Sequence, residues 1–200
     1  DLDYFDADVP LPVRYAARFD WFPTLSARVR LDDQGDVREV IPRLSRWEEE
    51  RPLPPLRLLT LAPDCDPDLA EPRCLLVGWE GQTARYPLDN PRLLLIGLQA
   101  QLRQHDPDLI LSQWGDSWLF PALRRWARAS GLLFNPSRDP FRCWQMKPAG
   151  SYFTYGMVLY RATQTFLFGR WHIDIQNAPL FRDCQLVGAL EQAAVTGLPV

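Results

Sequence analysis

Aspartates are the residues of this sequence that could bind a metal ion. Asp64, Asp66 and Asp68 alternate along one short acidic segment, and Asp116 and Asp174 each lie close to an apolar run. Hard divalent cations need several oxygen ligands that converge on one point. The acidic segment is also typical of a solvated loop, and Asp116 is well placed to cap a helix. We favour these structural roles, and a metal site built from Asp64, Asp116 and Asp174 is the alternative.

Aromatic and basic side chains near the middle of the chain could contact nucleic acid. Trp114 and Trp118 could stack on single-stranded bases, at about 1–3 kcal/mol per base, or fill apolar space, which is the favoured interpretation. Arg124 and Arg125 fall on one predicted helix. They could follow a phosphate backbone, although such a cluster is more typical of a solvated helix face. These four residues are the candidates for nucleic-acid binding.

The composition excludes several classes of protein. The 200 residues are 46% hydrophobic and 12% aromatic, enough for one good-sized core. The net charge of −3 provides no global positive field of the kind expected of an autonomous nucleic-acid-binding protein. Four scattered cysteines without a CxxC pair, and only two histidines, argue against a zinc site.

The chain begins without Met and without a signal peptide, so we expect a piece of a longer protein. No apolar run approaches the roughly 20 residues of a membrane span. We therefore expect a cytoplasmic protein with free thiols and no membrane partner.

The first 50 residues are expected to form a small β-rich module. Residues 9–15 and 25–31 have strand character, and residues 37–41 could pair back with the second of these as a hairpin. The stretch at 48–55 is charged and then proline-rich, so it predicts a linker. We place a domain boundary here, between residues 1–50 and residues 51–200.

The second domain is predicted to alternate strands and helices. Asn90 and Pro91 begin a helix that extends to about residue 104. Residues 106–131 predict a buried strand, then a helix capped by Asp116 or Ser117 and ended by Gly131. The remaining predicted elements are strands at 56–62, 73–79, 83–88 and 171–175, a hairpin of 157–160 with 165–168, and a final helix at 186–195. Three strands followed by alternating helices and strands are the layout of a ribonuclease H-like fold.

Four segments resemble parts of family B DNA polymerases. DPDLILSQWGDSWLFPAL (106–123) resembles their second exonuclease motif, in which DPD and an apolar strand precede Gly-Trp-Asn and Phe-Asp-Leu-Pro. PPLRLLTLAPDC (54–65) resembles the first motif, in which PPLR and a strand precede Asp-Ile-Glu. GRWHIDIQNA (169–178) resembles the GRxHxD strand, and the tail after it is similar to some prokaryotic members. YFDADVPLPVRY (4–15) resembles the end of their N-terminal domain, so the resemblance covers most of the chain.

The resemblance implies an exonuclease domain that has lost its metal ligands. Enzymes of this kind hold two divalent ions between carboxylates, and the ions activate a water. Ala62 falls on the first Asp of the family, Asp64 on its Glu and Leu119 on the Asp of the second motif. The Tyr-x-x-x-Asp of the last motif occurs only at Tyr4–Asp8, ahead of the first strand of the domain. Of these positions only Asp64 could bind a metal ion.

The expected fold is therefore α/β, a ribonuclease H-like 3′–5′ exonuclease fold with a mixed sheet flanked by helices, preceded by the β-rich module. The expected protein is a fragment of a prokaryotic family B DNA polymerase homologue without catalytic residues or cofactor in this region. Its role would be architectural or DNA-contacting, with the remaining polymerase domains and DNA as partners. Two alternatives stay open: a Mg²⁺-dependent exonuclease with rearranged carboxylates, and a stand-alone interaction module.

Overall fold

The computed structural model describes residues 11–48 and 51–197, so Tyr4–Asp8 lie outside the described residues. Contacts divide the chain into two compact units. One comprises Asp1–Pro54 together with Leu180–Val200, and the other comprises Pro55–Pro179. No helix in the described part of the chain is both long enough and apolar enough to cross a membrane.

The first unit begins with helix α1 (Leu11–Phe19), followed by strands β1 (Ala27–Leu31) and β2 (Val37–Pro42). The two strands form the predicted antiparallel hairpin. The strand predicted for residues 9–15 is wrong in its described part, which is helical. Leu11, Tyr15 and Phe19 recur at every fourth residue, a helical spacing, and the rings of Tyr15 and Phe19 lie 4.4 Å apart.

A C-terminal helix, α4 (Pro179–Thr196), belongs mostly to the same unit. It is interrupted at Gln185, which has φ 57° and ψ −165°, and the part after this kink matches the predicted helix at 186–195. The turn that precedes the kink was not predicted from the sequence.

The second unit is built on a five-stranded mixed sheet in the order β11-β6-β3-β4-β5. Strands β3 (Leu58–Pro63), β4 (Cys74–Trp79) and β5 (Gln82–Pro87) form an antiparallel meander. Strand β6 (Leu109–Ser112) pairs in parallel with β3, and β11 (Trp171–Asp174) pairs in parallel with β6. The α/β class and these five strands agree with the sequence prediction to within a few residues.

Helices α2 (Pro91–His105) and α3 (Phe120–Ser130) pack on one face of this sheet. The Asn90 side chain accepts a hydrogen bond from the Leu93 N–H at 3.2 Å, as its predicted capping role requires. Gly131 ends α3 in the left-handed conformation, with φ 63°. The core consists of aliphatic side chains of sheet and helices, among them Leu59, Leu61, Leu75, Val77, Leu94, Leu98, Leu102, Ile110, Leu119 and Leu123.

Two small sheets lie between α3 and β11. Strand β7 (Gln145–Lys147) pairs with β10 (Gln164–Phe166), and β8 (Gly150–Thr154) pairs with β9 (Met157–Arg161). The predicted hairpin of 157–160 with 165–168 is therefore wrong. Tyr155 and Gly156 both have positive φ, so they make the tight turn that joins β9 to the strand before it.

Candidate functional site

The parallel strands β3, β6 and β11 end at one edge of the sheet. Residues 62–64 lie at the end of β3, Ser112 at the end of β6 and Asp174 at the end of β11. In open α/β sheets the carboxyl ends of parallel strands are where ligands usually bind. This edge is therefore the candidate site, and most of the sequence-predicted metal positions lie on or next to it.

The residues at the end of β3 stabilise the loop that follows this strand. Ala62 is half-buried and Pro63 is buried, whereas Asp64 is exposed. The Asp64 carboxylate accepts a hydrogen bond from the Arg73 N–H at 2.9 Å, and the Asp64 N–H donates to the Cys74 carbonyl. This backbone donor holds the pKa of Asp64 below its ordinary value. Asp64 therefore closes the loop between β3 and β4.

The other acidic residues of this loop have a local role. The Asp66 carboxylate accepts a hydrogen bond from the N–H of Asp68 at 2.9 Å, which forms a turn within the segment. The acidic segment is thus partly organised by its own backbone, as short Asx turns usually are.

Between β6 and α3 the chain makes a π-helical turn, Gly115–Leu119. Trp114 enters the turn in the left-handed conformation, with φ 51°, and its carbonyl accepts hydrogen bonds from the N–H groups of Trp118 and Leu119. Leu119 has no solvent exposure and points into the core. The Leu119 side chain is thus part of the core and offers no oxygen ligand at this edge of the sheet.

Neither Asp116 nor Ser117 caps α3, so that prediction is wrong. The π-helical turn runs directly into α3, and the N–H at the start of α3 donates to the carbonyl of Gly115. Because backbone carbonyls accept these bonds, the helix needs no side-chain cap.

Asp116 instead belongs to a buried polar cluster. One oxygen of its carboxylate accepts from the Thr165 N–H at 2.7 Å, and the other accepts from the side-chain amide of Asn177 at 2.9 Å. Asp174 accepts from the Asp116 N–H at 2.9 Å and from the Gln176 N–H at 3.2 Å. Burial raises the pKa of Asp174. All four carboxylate oxygens therefore have donors from the protein itself.

His172 joins this cluster to the end of β6. Its Nδ1 lies 3.1 Å from the Thr165 carbonyl and its Nε2 lies 2.7 Å from the Ser112 hydroxyl. Because a carbonyl only accepts, Nδ1 carries the proton and Nε2 accepts from Ser112. Burial lowers the pKa of His172, so the ring is neutral. Ser112 is completely buried, so this serine–histidine pair lies in the interior.

Gly115 fits against the same pair. A Cβ at this position would lie 1.9 Å from the Ser112 hydroxyl oxygen and 2.9 Å from His172 Nε2. The glycine therefore provides the space in which these two side chains meet. We call Ser112, Gly115, Asp116, His172 and Asp174 the polar knot.

The side chains at this edge do not fit a two-ion site. Ala62 and Leu119 offer no oxygen, and the carboxylates of Asp116 and Asp174 already accept hydrogen bonds from N–H donors. Across residues 11–48 and 51–197, no group of three or more histidine, cysteine, aspartate or glutamate side chains could hold a metal ion. The structure brings Asp116 and Asp174 together. Asp64 is instead hydrogen-bonded to the backbone of Arg73 and Cys74, at the start of β4.

The candidate nucleic-acid-binding residues differ in their burial and in their contacts with other side chains. Trp118 packs against the core and meets Trp126 edge to face, with ring centroids 6.3 Å apart. Trp114 is half-buried. The Arg124 guanidinium stacks 4.4 Å from the Trp144 ring and donates to the carbonyl of the same residue. Arg125 is exposed.

An ion-pair network at the opposite end of β6 was not anticipated. The Arg138 guanidinium contacts both carboxylates of the DPD motif, Asp106 at 2.8 Å and Asp108 at 2.7 Å, and donates to the carbonyl of Gly169. Arg57 also pairs with Asp108, and this bond holds the pKa of Asp108 well below its ordinary value. The DPD motif signals the acidic half of the network. No local pattern marks Arg138, which lies in an irregular segment.

Comparisons with known proteins indicate the fold. No family model matches the sequence, and no curated protein is similar to it at the sequence level. The family B DNA polymerase from the hyperthermophilic archaeon Pyrobaculum calidifontis is similar in structure, with a TM-score of 0.55 and 21% sequence identity. The match covers 87% of this chain and 23% of the polymerase chain. The chain thus shares its α/β fold with a segment of a family B DNA polymerase.

Proposed function

We propose that this chain is the N-terminal and exonuclease-like region of a prokaryotic family B DNA polymerase homologue in which the exonuclease site has degenerated. The fold similarity supports the polymerase relationship, and the sheet, a meander followed by two parallel strands, supports a ribonuclease H-like architecture. On this proposal residues 1–50 belong to the N-terminal domain and residues 51–200 to the exonuclease-like domain. The protein would act in the cytoplasm, with DNA and the remaining polymerase domains as its partners.

The observation that carries the proposal is the apolar occupancy of the catalytic positions. The sequence resemblance aligns Leu119 and Ala62 with metal-binding aspartates of the family, and Leu119 is fully buried whereas Ala62 is half-buried. Two-metal hydrolysis of a phosphodiester needs carboxylates that hold both ions beside the scissile bond. The described residues provide no such set, so we assign this region no cleavage of DNA.

The polar knot supports an architectural role. It ties the π-helical turn, β6 and β11 together with hydrogen bonds of 2.7–3.1 Å between buried groups. The two carboxylates, the His172 ring and the Ser112 hydroxyl all have partners, and a satisfied buried network makes a region rigid and specifies one packing. On this proposal, the edge of the sheet that would bind DNA and metal in an active exonuclease serves a structural role instead.

A nuclease assay tests the proposal. The protein is incubated with a 3′-labelled single-stranded oligonucleotide in the presence of Mg²⁺ or Mn²⁺, and metal binding is measured by calorimetry. We expect neither nucleotide release nor a heat of binding. Asp64→Ala is compared with Asp68→Ala, a matched variant in the same loop. Cleavage that is lost in Asp64→Ala and kept in Asp68→Ala would overturn the proposal in favour of an exonuclease with rearranged carboxylates.

A further inference from the structure

Helix α2 has two apolar faces, and only one of them is used by the core. Leu94, Leu98 and Leu102 are buried against the sheet. On another side of the helix, Leu93 is 62% exposed and Ile96 is 50% exposed. A surface helix normally has one apolar stripe and a polar opposite face. The second stripe therefore needs an explanation beyond the fold of this unit.

Helix α2 forms one wall of a groove, and of the second stripe Ile96 lines this groove whereas Leu93 lies outside its lining. The segment that follows α3 provides the other wall, where Leu133 projects fully into solvent and Phe134 packs against the core. The groove has a volume of about 270 Å³. Its lining residues are Leu95, Ile96, Gln99, Ala100, Arg103, Leu132, Leu133 and Phe134. The N–H of Asn135 donates to the Gln99 side-chain oxygen at 3.2 Å, which holds the second wall against α2.

The lining of the groove carries a positive charge. Neither α2 nor α3 contains an aspartate or a glutamate, although the whole chain has a net charge of −3. Among the described residues that line the groove, Arg103 is the one with a charged side chain, and it is exposed. Arg92 lies at the other end of α2 and is also exposed. These two arginines are about 16 Å apart along the helix axis, roughly three helical turns.

We propose that this groove binds an amphipathic helix of a partner protein whose apolar face is flanked by carboxylates. Side chains at i, i+3, i+4 and i+7 of that helix would lie between α2 and Leu133, the usual arrangement for a helix in a groove. The flanking carboxylates would face Arg103 and Arg92, and like charges would be excluded. The ring of Phe134 is packed against the core, and the exposed apolar side chains of the lining, Ile96 and Leu133, are aliphatic, so a protein partner fits better than stacked single-stranded nucleic acid.

The binding test uses model peptides. One fluorescein-labelled helical peptide of about four turns carries leucine at i, i+3, i+4 and i+7 and glutamate on its polar face, and its matched control carries lysine in place of glutamate. Fluorescence anisotropy with the whole chain measures both affinities. We expect the glutamate peptide to bind at least about tenfold more tightly than the lysine peptide, because charge complementarity sets partner choice.

Variants place the peptide in the groove. Leu133→Ser and Arg103→Glu should each weaken binding of the glutamate peptide by about tenfold or more, the usual effect of losing an interface anchor. Leu69→Ser removes a leucine that is 86% exposed in a loop outside the groove, and it should leave the affinity unchanged. All three positions are on the surface, so the variants should fold, and circular dichroism checks this.

Three results would overturn the inference. The first is the absence of binding of the glutamate peptide, and the second is equal affinity for the two peptides. The third is binding that Leu133→Ser and Arg103→Glu leave unchanged. A labelled DNA oligonucleotide that displaces the peptide and loses affinity in Arg103→Glu would mean that this face binds nucleic acid instead. The inference concerns helix α2 and the segment that follows α3, so it does not depend on the outcome of the nuclease assay.

Discussion

Replacing Gly115 with alanine tests whether the polar knot is as tightly packed as the structure indicates. The added Cβ would lie 1.9 Å from the hydroxyl oxygen of Ser112, 2.7 Å from its Cβ and 2.9 Å from Nε2 of His172. Heavy atoms in ordinary contact are about 3.5–4.0 Å apart. Ser112 has no solvent exposure, so its side chain has no open space to turn into.

The expected loss of stability follows from these distances. Overpacking a buried site costs about 1–3 kcal/mol. A shift of Ser112 would also break its 2.7 Å hydrogen bond with His172, and a buried group without a partner costs about 1–3 kcal/mol. Helix propensity opposes these effects, since alanine is better than glycine by up to about 1 kcal/mol. We expect Gly115→Ala to lower the free energy of unfolding by about 2–4 kcal/mol.

Urea denaturation followed by the fluorescence of the eight tryptophans measures this change. Gly150→Ala is the matched control, because a Cβ there meets only Arg161 Nη2 at 3.9 Å, and we expect it to change stability little. In a double-mutant cycle, Ser112→Gly removes the two closest of the three clashing atoms, so it should recover at least about 1 kcal/mol of the loss. A Gly115→Ala protein as stable as Gly150→Ala, or effects that simply add, would refute the packing argument.

Three further substitutions probe this edge of the sheet and the ion-pair network. Arg138→Lys should lower the free energy of unfolding by about 2–3 kcal/mol, because lysine cannot reproduce the guanidinium contacts. The exposed control Arg142→Lys should change the free energy of unfolding by less than about 0.5 kcal/mol. Denaturant titration of both variants measures the two changes. The pKa of Asp108 is lowered in the folded protein, so its ionised form contributes stability above pH 3.8 that is lost as the pH falls through the folded pKa. Asp108→Asn should therefore be less stable than the parent at pH 7 and should show a shallower loss of melting temperature below pH 4; parallel curves would contradict this. Leu119→Asp should lower the free energy of unfolding by about 3 kcal/mol or more, because it buries a charge without a partner. In thermal melts, Mg²⁺ should not restore the melting temperature of this variant. A melting temperature restored by Mg²⁺ would reveal an ion site.

The sequence predicted most of the large sheet because local signals agree with tertiary structure there. Short apolar runs predicted β3, β4, β6 and β11, and Asn90 and Gly131 marked helix ends where the structure has them. Capping residues and terminal glycines act through hydrogen bonds within one turn, so they can be recognised without knowledge of the fold.

Predictions failed where the pairing partner or the turn type was decided at longer range. Apolar character around residues 9–15 is compatible with a strand or a helix, and the described part is helical. Strand β9 pairs with the strand before it because of the positive φ values of Tyr155 and Gly156, and apolar residues alone did not indicate this. Asp116 looked like a helix cap, yet a π-helical turn removes the need for one and directs its carboxylate to Thr165.

The sequence by itself determined which side chains could bind a metal ion at all. An alanine and a leucine cannot bind a metal ion in any fold, so Ala62 and Leu119 could be assessed from residue type alone. Only the tertiary structure decided what the remaining acids do. Asp64, Asp116 and Asp174 are distant in sequence, and parallel pairing of β6 with β11 brings the last two together with His172 and Ser112. Long-range strand pairing sets which donors each carboxylate meets, and no local pattern in the chain encodes it.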